Sequence, residues 1–180
     1  MTAQSAMMRA LRPRKLHLLA ALPLLALAAS GFGAPQRRGD TLNEQEVARI
    51  REAQEIDRRA DVFLKLAARR LDALESRPDQ QPKREEWGDP PSGTPRQLLM
   101  AYARILEELA DKIDAAAEAN GENDPKLRKA LARIRHDVES HLTRLERLSV
   151  SDEDLAPRRA ALQMARMLLD GASNALSKSP

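Results

Sequence analysis

The sequence predicts an all-α fold, an antiparallel four-helix bundle with a long first helix and a Pro-rich linker between the first and second helices. Three observations carry this expectation. Helix-capping signatures recur along the chain, the stretches between them place apolar residues alternately three and four apart, and no alternating strand pattern interrupts them. Such spacing lines one face of a helix with apolar side chains, and that face must be covered by another element.

The first helix is expected to open at Thr41-Leu42-Asn43-Glu44, a capping box in which a hydroxyl and a carboxylate satisfy backbone N–H groups left free at a helix start. Its stripe runs Ile50, Ala53, Asp57, Ala60, Leu64, Ala67, Leu71, Leu74, and it should end near Ser76, before Arg77-Pro78. At about 1.5 Å per residue such a helix would be about 50 Å long. Residues 77–94, with four prolines, two glycines and no apolar periodicity, read as an irregular linker.

Thr94-Pro95-Arg96-Gln97 combines an N-cap, proline at the first helical position and Gln at the third, so the second helix starts there and stops at Asn120-Gly121. Its apolar face is Leu98, Tyr102, Ile105, Leu109, Ile113 and Ala116, widened by Leu99 and Leu106. Asp124-Pro125 repeats the start signature for a third helix reaching about Ser149, with the stripe Leu127, Leu131, Ile134, Val138, His141, Leu145, Leu148. Ser151 followed by three carboxylates suits the positive end of a fourth helix, extending to about Leu176 with Leu155, Leu162, Ala165, Leu169, Ala172 and Leu176 inward, flanked by Met164 and Leu168. Pro157 either kinks this helix near its beginning or marks its true first turn, with 151 to 155 a separate helical turn. The short connections between the second, third and fourth helices imply antiparallel neighbours, and residues 41–177 form one domain with the linker inside it.

Ahead of this domain, Arg9, Arg12, Arg14 and Lys15 run into the apolar block from Leu16 to Ser30. A basic cluster, a short apolar run and small residues in that order read as a secretory signal peptide, residues 1–30, followed by a flexible segment, 31–40. The apolar run is interrupted by Pro23 and falls short of the roughly 20 residues a spanning helix needs. Ala28-Ala29-Ser30 fits cleavage before Gly31; a cut after Ala34 ranks second, and an uncleaved anchor is the remaining alternative. Setting the segment aside removes four basic residues and no acidic one, so 30 Lys+Arg against 27 Asp+Glu becomes 26 against 27. The mature chain is thus close to neutral, which withdraws the nucleic-acid reading a basic protein would invite. With no cysteine the fold has no disulfide, and stability must come from its core.

Two polar residues occupy seam positions that call for apolar ones, Asp57 in the first helix and His141 in the third. If the two helices run parallel and start level, these side chains share a buried layer, with Tyr102 nearby, and such a pair could fix register, act as acid and base or contribute to a metal site. His136 falls on the polar face, so the segment HDVESH does not converge on one ion. Met164 and Met167, with Met100, read as filling of the core or its edge. Basic doublets, Arg69-Arg70 among them, read as solvated faces paired with neighbouring acids. Trp87, alone in the linker, is either a partner-binding anchor or a residue that folds back to cap one end of the bundle.

Nucleophile elbows, phosphate loops and zinc-protease motifs do not occur, and no cofactor is expected. The expectation is an exported, periplasmic or extracellular, non-enzymatic helical bundle of the bacterial envelope with a protein-interaction or structural role. It involves no nucleic acid and no membrane once the signal is removed. Two alternatives follow from particular residues: a ligand- or metal-binding bundle using the Asp57/His141 layer, and a homo-oligomer in which the overlong first helix lends its stripe to a partner copy.

Overall fold

Glu46, a charged residue near the start of the first helix, is one of the most deeply buried side chains of the chain, and this decides how that helix runs. The computed structural model describes residues 42–76 and 84–178. The expected signal peptide, the flexible segment and Thr41 lie outside the described residues. Those described fall in one compact unit, Arg37–Pro180, and among them there are six helices and no strand: α1 (Glu44–Glu52), α2 (Ile56–Leu74), α3 (Arg84–Trp87), α4 (Pro95–Asn120), α5 (Pro125–Arg147) and α6 (Leu155–Ser177). None of these helices is long and apolar enough to cross a membrane.

The single long first helix does not form. It is replaced by α1 and α2, separated at residues 53–55, where Ala53 (ψ 83°) and Glu55 (ψ 140°) leave helical geometry. The N-cap of α1 is Asn43, which accepts from the Glu46 N–H at 2.8 Å while the Glu46 carboxylate accepts from the Asn43 N–H at 3.1 Å. The carbonyls freed at the break are taken up by side chains: Gln54 donates to Arg51 O at 2.5 Å and Arg59 to Ala53 O at 2.8 Å. The chain then doubles back, so that Glu46 lies beside Arg69 and Arg70. The overhang that motivated a homo-oligomer is therefore absorbed within the chain, because α1 packs on α2 and α3.

The linker also carries more order than its prolines suggest. Arg84–Trp87 makes one helical turn, held because Trp87 is buried. Gly88 closes it at φ 71°, and a Cβ there would stand 2.8 Å from the Gln45 side chain and 2.9 Å from that of Asn43. Only glycine tolerates both that backbone conformation and that approach.

The remaining starts and stops match the sequence closely. Thr94 and Gln97 form the capping box of α4, with Pro95 at its first position. Asp124 accepts from the Leu127 N–H at 2.8 Å to open α5. Of the two readings of Pro157, the second holds: Asp152–Asp154 is a separate 3₁₀ turn, and Pro157 sits in the first turn of α6, where its missing N–H costs nothing.

Packing joins the four long helices into a ring. α2 lies against α4 and α5, and α6 lies against the same two. Contrary to the expectation that consecutive helices are neighbours, α4 and α5 barely touch. Their connection, residues 121–124, can reach about 13 Å when extended, enough to cross a diagonal, and Gly121 at φ 84° permits the extended path. Three ion pairs, Asp57–Lys129, Asp61–Arg133 and Asp72–Arg144, lock α2 and α5 in parallel register, every pair at the same offset.

The core follows the predicted seams in α4 and α5, from Leu98 to Ile113 and from Leu127 to Leu145. In α6 the seam is rotated: Pro157, Ala161, Ala165, Leu168 and Ala172 are buried, while Leu155 is exposed and Leu162, Leu169 and Leu176 are half-buried. Small residues at the centre let α6 approach closely, which turns its leucines toward the flanks. α2 departs further, since beyond Ala60, Leu64, Ala67 and Leu71 it also buries Phe63, Leu66, Arg69, Arg70 and Asp72. It is covered on a second side by α1 and α3.

Candidate functional site

The polar residues of the interior gather at one level of the fold, the C-terminal half of α2. Because partners on α2 and α5 are offset by a constant number of positions, as Asp72 and Arg144 show, Arg69 stands level with His141. Three groups meet there.

The outermost is an ion triad. Glu46, Arg69 and Arg70 are each 1% exposed. Arg70 grips the Glu46 carboxylate with both terminal nitrogens, Nη1 to Oε1 at 2.6 Å and Nη2 to Oε2 at 2.7 Å, while Arg69 Nε donates to Oε1 at 3.0 Å. The planar guanidinium suits this two-point grip, as an ammonium would not. Arg69 also donates to Asp89 O at 2.8 Å and Arg70 to Leu66 O at 3.2 Å, tying α1, α2 and the segment after α3 together. Burial lowers the Arg69 pKa from its ordinary value, and the charge of Glu46 opposes that shift. The reading of Arg69-Arg70 as a solvated face is thus overturned. α2 has no free side at that point, because α1 and α3 cover it.

On the opposite flank Arg144 donates to Asp72 at 2.6 Å and to both oxygens of Glu75 at 3.0 Å. With the triad this makes three arginines and three carboxylates, so the charges of the layer cancel.

Between these flanks lies a neutral pair. The Tyr102 hydroxyl stands 3.4 Å from His141 Nδ1, and the rings meet edge to face at 5.8 Å. His141 is 5% exposed. Desolvation, reinforced by the Arg144 charge, lowers its pKa to about 4. Burial likewise raises that of Tyr102. At neutral pH both are uncharged, and the hydroxyl can donate to an imidazole that carries its proton on Nε2.

Of the residues singled out from sequence, Tyr102 and His141 come together, and Asp57 does not join them. It is twelve residues from the level of His141, about 18 Å along the helix axis, and bonds Lys129 at 2.7 Å, which holds its carboxyl below the usual range. The alignment assumed a helix beginning at Leu42, whereas the helix that runs beside α5 begins at Ile56. The Asp57/His141 acid–base or metal pair is therefore ruled out by geometry. Among the described residues no group of three or more His, Asp or Glu is arranged to hold a metal ion.

Trp87 is 4% exposed and lies on the flank of α2, not over an end of the ring. Its ring is approached by the Arg49 and Arg69 guanidinium groups at 5.9 and 6.0 Å from the centroid. Held this way, it is almost wholly covered by the chain's own side chains. An open cleft of about 480 Å³ adjoins the triad, bordered by Leu42, Asn43, Gln97, Met100 and Arg104.

No family model, curated protein or solved structure matches the chain.

Two outcomes follow from this layer. Removing one partner of a buried, hydrogen-bonded ion group leaves the others uncompensated and costs about 3–5 kcal/mol. Glu46→Ala should show that loss in denaturant unfolding, together with lost protection of the α1 amides in hydrogen exchange. His141 should give an acid-sensitive limb. Between pH 6.5 and about 4 the unfolded chain binds a proton that the folded one refuses, so stability falls as pH falls through that window, by about 1.4 kcal/mol per unit and on the order of 3 kcal/mol in all. In His141→Gln this limb should flatten, as read by urea titrations at several pH values.

Proposed function

We propose that the chain is an exported, non-enzymatic protein of the bacterial envelope, a four-helix bundle of α2, α4, α5 and α6 with α1 and α3 strapped to its side, whose role is binding or structural support. The observation that carries this reading is the self-pairing of the interior polar groups. Glu46, Arg69 and Arg70 hold one another, as do Asp72, Glu75 and Arg144. A catalytic acid or base needs a pKa near the working pH and access to a reacting proton, whereas His141 is buried and lowered to about 4. Arrangements of this kind specify one packing of the helices and leave recognition to the outer faces.

Export rests on Arg9, Arg12, Arg14 and Lys15 preceding the apolar block that ends at Ser30. Expression of the full chain in a Gram-negative host, with fractionation and N-terminal sequencing, tests it. The expected product is found in the periplasm or medium and begins at Gly31. Intact chain beginning at Met1 and confined to the cytoplasm would overturn the reading.

A further inference from the structure

The outer faces of α4 and α6 differ in kind, and a groove runs between them. It has a volume of about 430 Å³, a floor that includes Leu127 and Leu131 of α5, and walls that include Ile113 and Ala117 of α4 and Met164 and Leu168 of α6. The methionines were expected to fill the core. Met164 is instead half-buried and Met167, beside it, is 59% exposed. A methionine side chain left in solvent at the edge of an apolar groove is a flexible, polarizable surface that can mould itself to another chain.

Gly171 lines the same groove from the interior of α6, where glycine weakens a helix relative to alanine. Nothing in this chain requires it: φ is unexceptional, and a Cβ there would meet nothing within 4 Å. The groove is kept wide on the α6 side by a residue that serves no contact inside the protein.

The α4 side supplies charge. Glu107, Asp111, Asp114 and Glu118 follow at helical spacing along one face, and Glu122 continues the line just past the helix end; all are exposed. None of the five is in an ion pair among the described residues, although most carboxylates of α2 are paired. Asp114 and Glu122 lie on the groove itself, and among the described residues Lys178 is the one cation that lines it.

We infer that the groove between α4 and α6 is a docking site for a basic amphipathic helix of a partner protein, whose apolar face lies against Met164, Met167 and the Gly171 gap while its Lys and Arg side chains meet the acidic line of α4. An apolar groove with a one-sided acidic rim matches that chemistry in both respects. The inference rests on the reading of the chain as a binding protein and gives that partner its chemical class.

The probe is a Leu/Lys peptide of about 15 residues, long enough for the roughly 22 Å of the acidic line, titrated into the full mature chain by calorimetry. The expected result is one peptide per chain, with affinity falling at high salt, and no binding of the Leu/Glu counterpart. Asp114→Lys combined with Glu118→Lys, both on the exposed face, should weaken binding at least about tenfold. Gly171→Leu fills the groove where space is open and should weaken it by a similar factor, while its thermal melt shows that the fold is retained. Unchanged affinity in Gly171→Leu would mean charge attraction without a groove and would overturn the proposal. A dimer of the chain that Gly171→Leu dissociates would assign the groove to a second copy and overturn it equally. Failure of the peptide to bind leaves the export assay untouched, so the two readings fail separately.

Discussion

A single carboxylate organises one side of this protein. Glu46 brings α1 back along α2, because its two oxygens are the acceptors that Arg69 and Arg70 need once both are out of water. Desolvating three charged groups is expensive, and the arrangement is tolerable only with near-ideal geometry and further hydrogen bonds. Both conditions are met, by the two-point contact at 2.6 and 2.7 Å and by the backbone carbonyls of Leu66 and Asp89. From that contact follow the break at residues 53–55, the turn of helix at Arg84–Trp87 and the burial of α2 on a second side.

The α2–α5 register is the second constraint. Asp57–Lys129 and Asp61–Arg133 are exposed or half-exposed pairs, each contributing little to stability alone, whereas Asp72–Arg144 is largely buried. Together they place His141 level with the arginines and away from Asp57. The interior polar layer thus consists of two charged networks flanking a neutral Tyr–His pair. Its charges cancel internally, and its members fix the register of the helices that carry them. The outer face of α4 shows the opposite disposition, with exposed carboxylates that are in no ion pair among the described residues.

Much of the fold was legible because the signals that end helices here are local. Thr94-Pro95 and Asp124-Pro125 act through hydrogen bonds and φ restrictions within four residues, and α4 and α5 begin where those signatures stand. Seams of Leu and Ile in the same helices survive for a similar reason. The break at Ala53-Gln54-Glu55 was not legible, since all three residues favour helix and the cause lies in the pairing of Glu46 with Arg69 and Arg70, well outside the break in sequence. One clue was present in α2, where Phe63 and Leu66 lie off the predicted seam and imply a helix covered on two sides. Such a helix gives its basic doublet no solvent to face. His141 and Tyr102 could be paired from their seam positions, but the height of Asp57 could not, because it depended on where the helix beside α5 begins.

The central claim is that α1 folds back on α2 through Glu46 instead of continuing it. The chain has no cysteine, so Glu44→Cys and Ser76→Cys can be labelled cleanly and the distance between the labels measured by pulsed electron spin resonance. The account expects a separation of about 10–20 Å, the spacing of packed helices plus a turn or so of offset. A separation of about 48 Å, the length of a continuous helix between those residues, would contradict it.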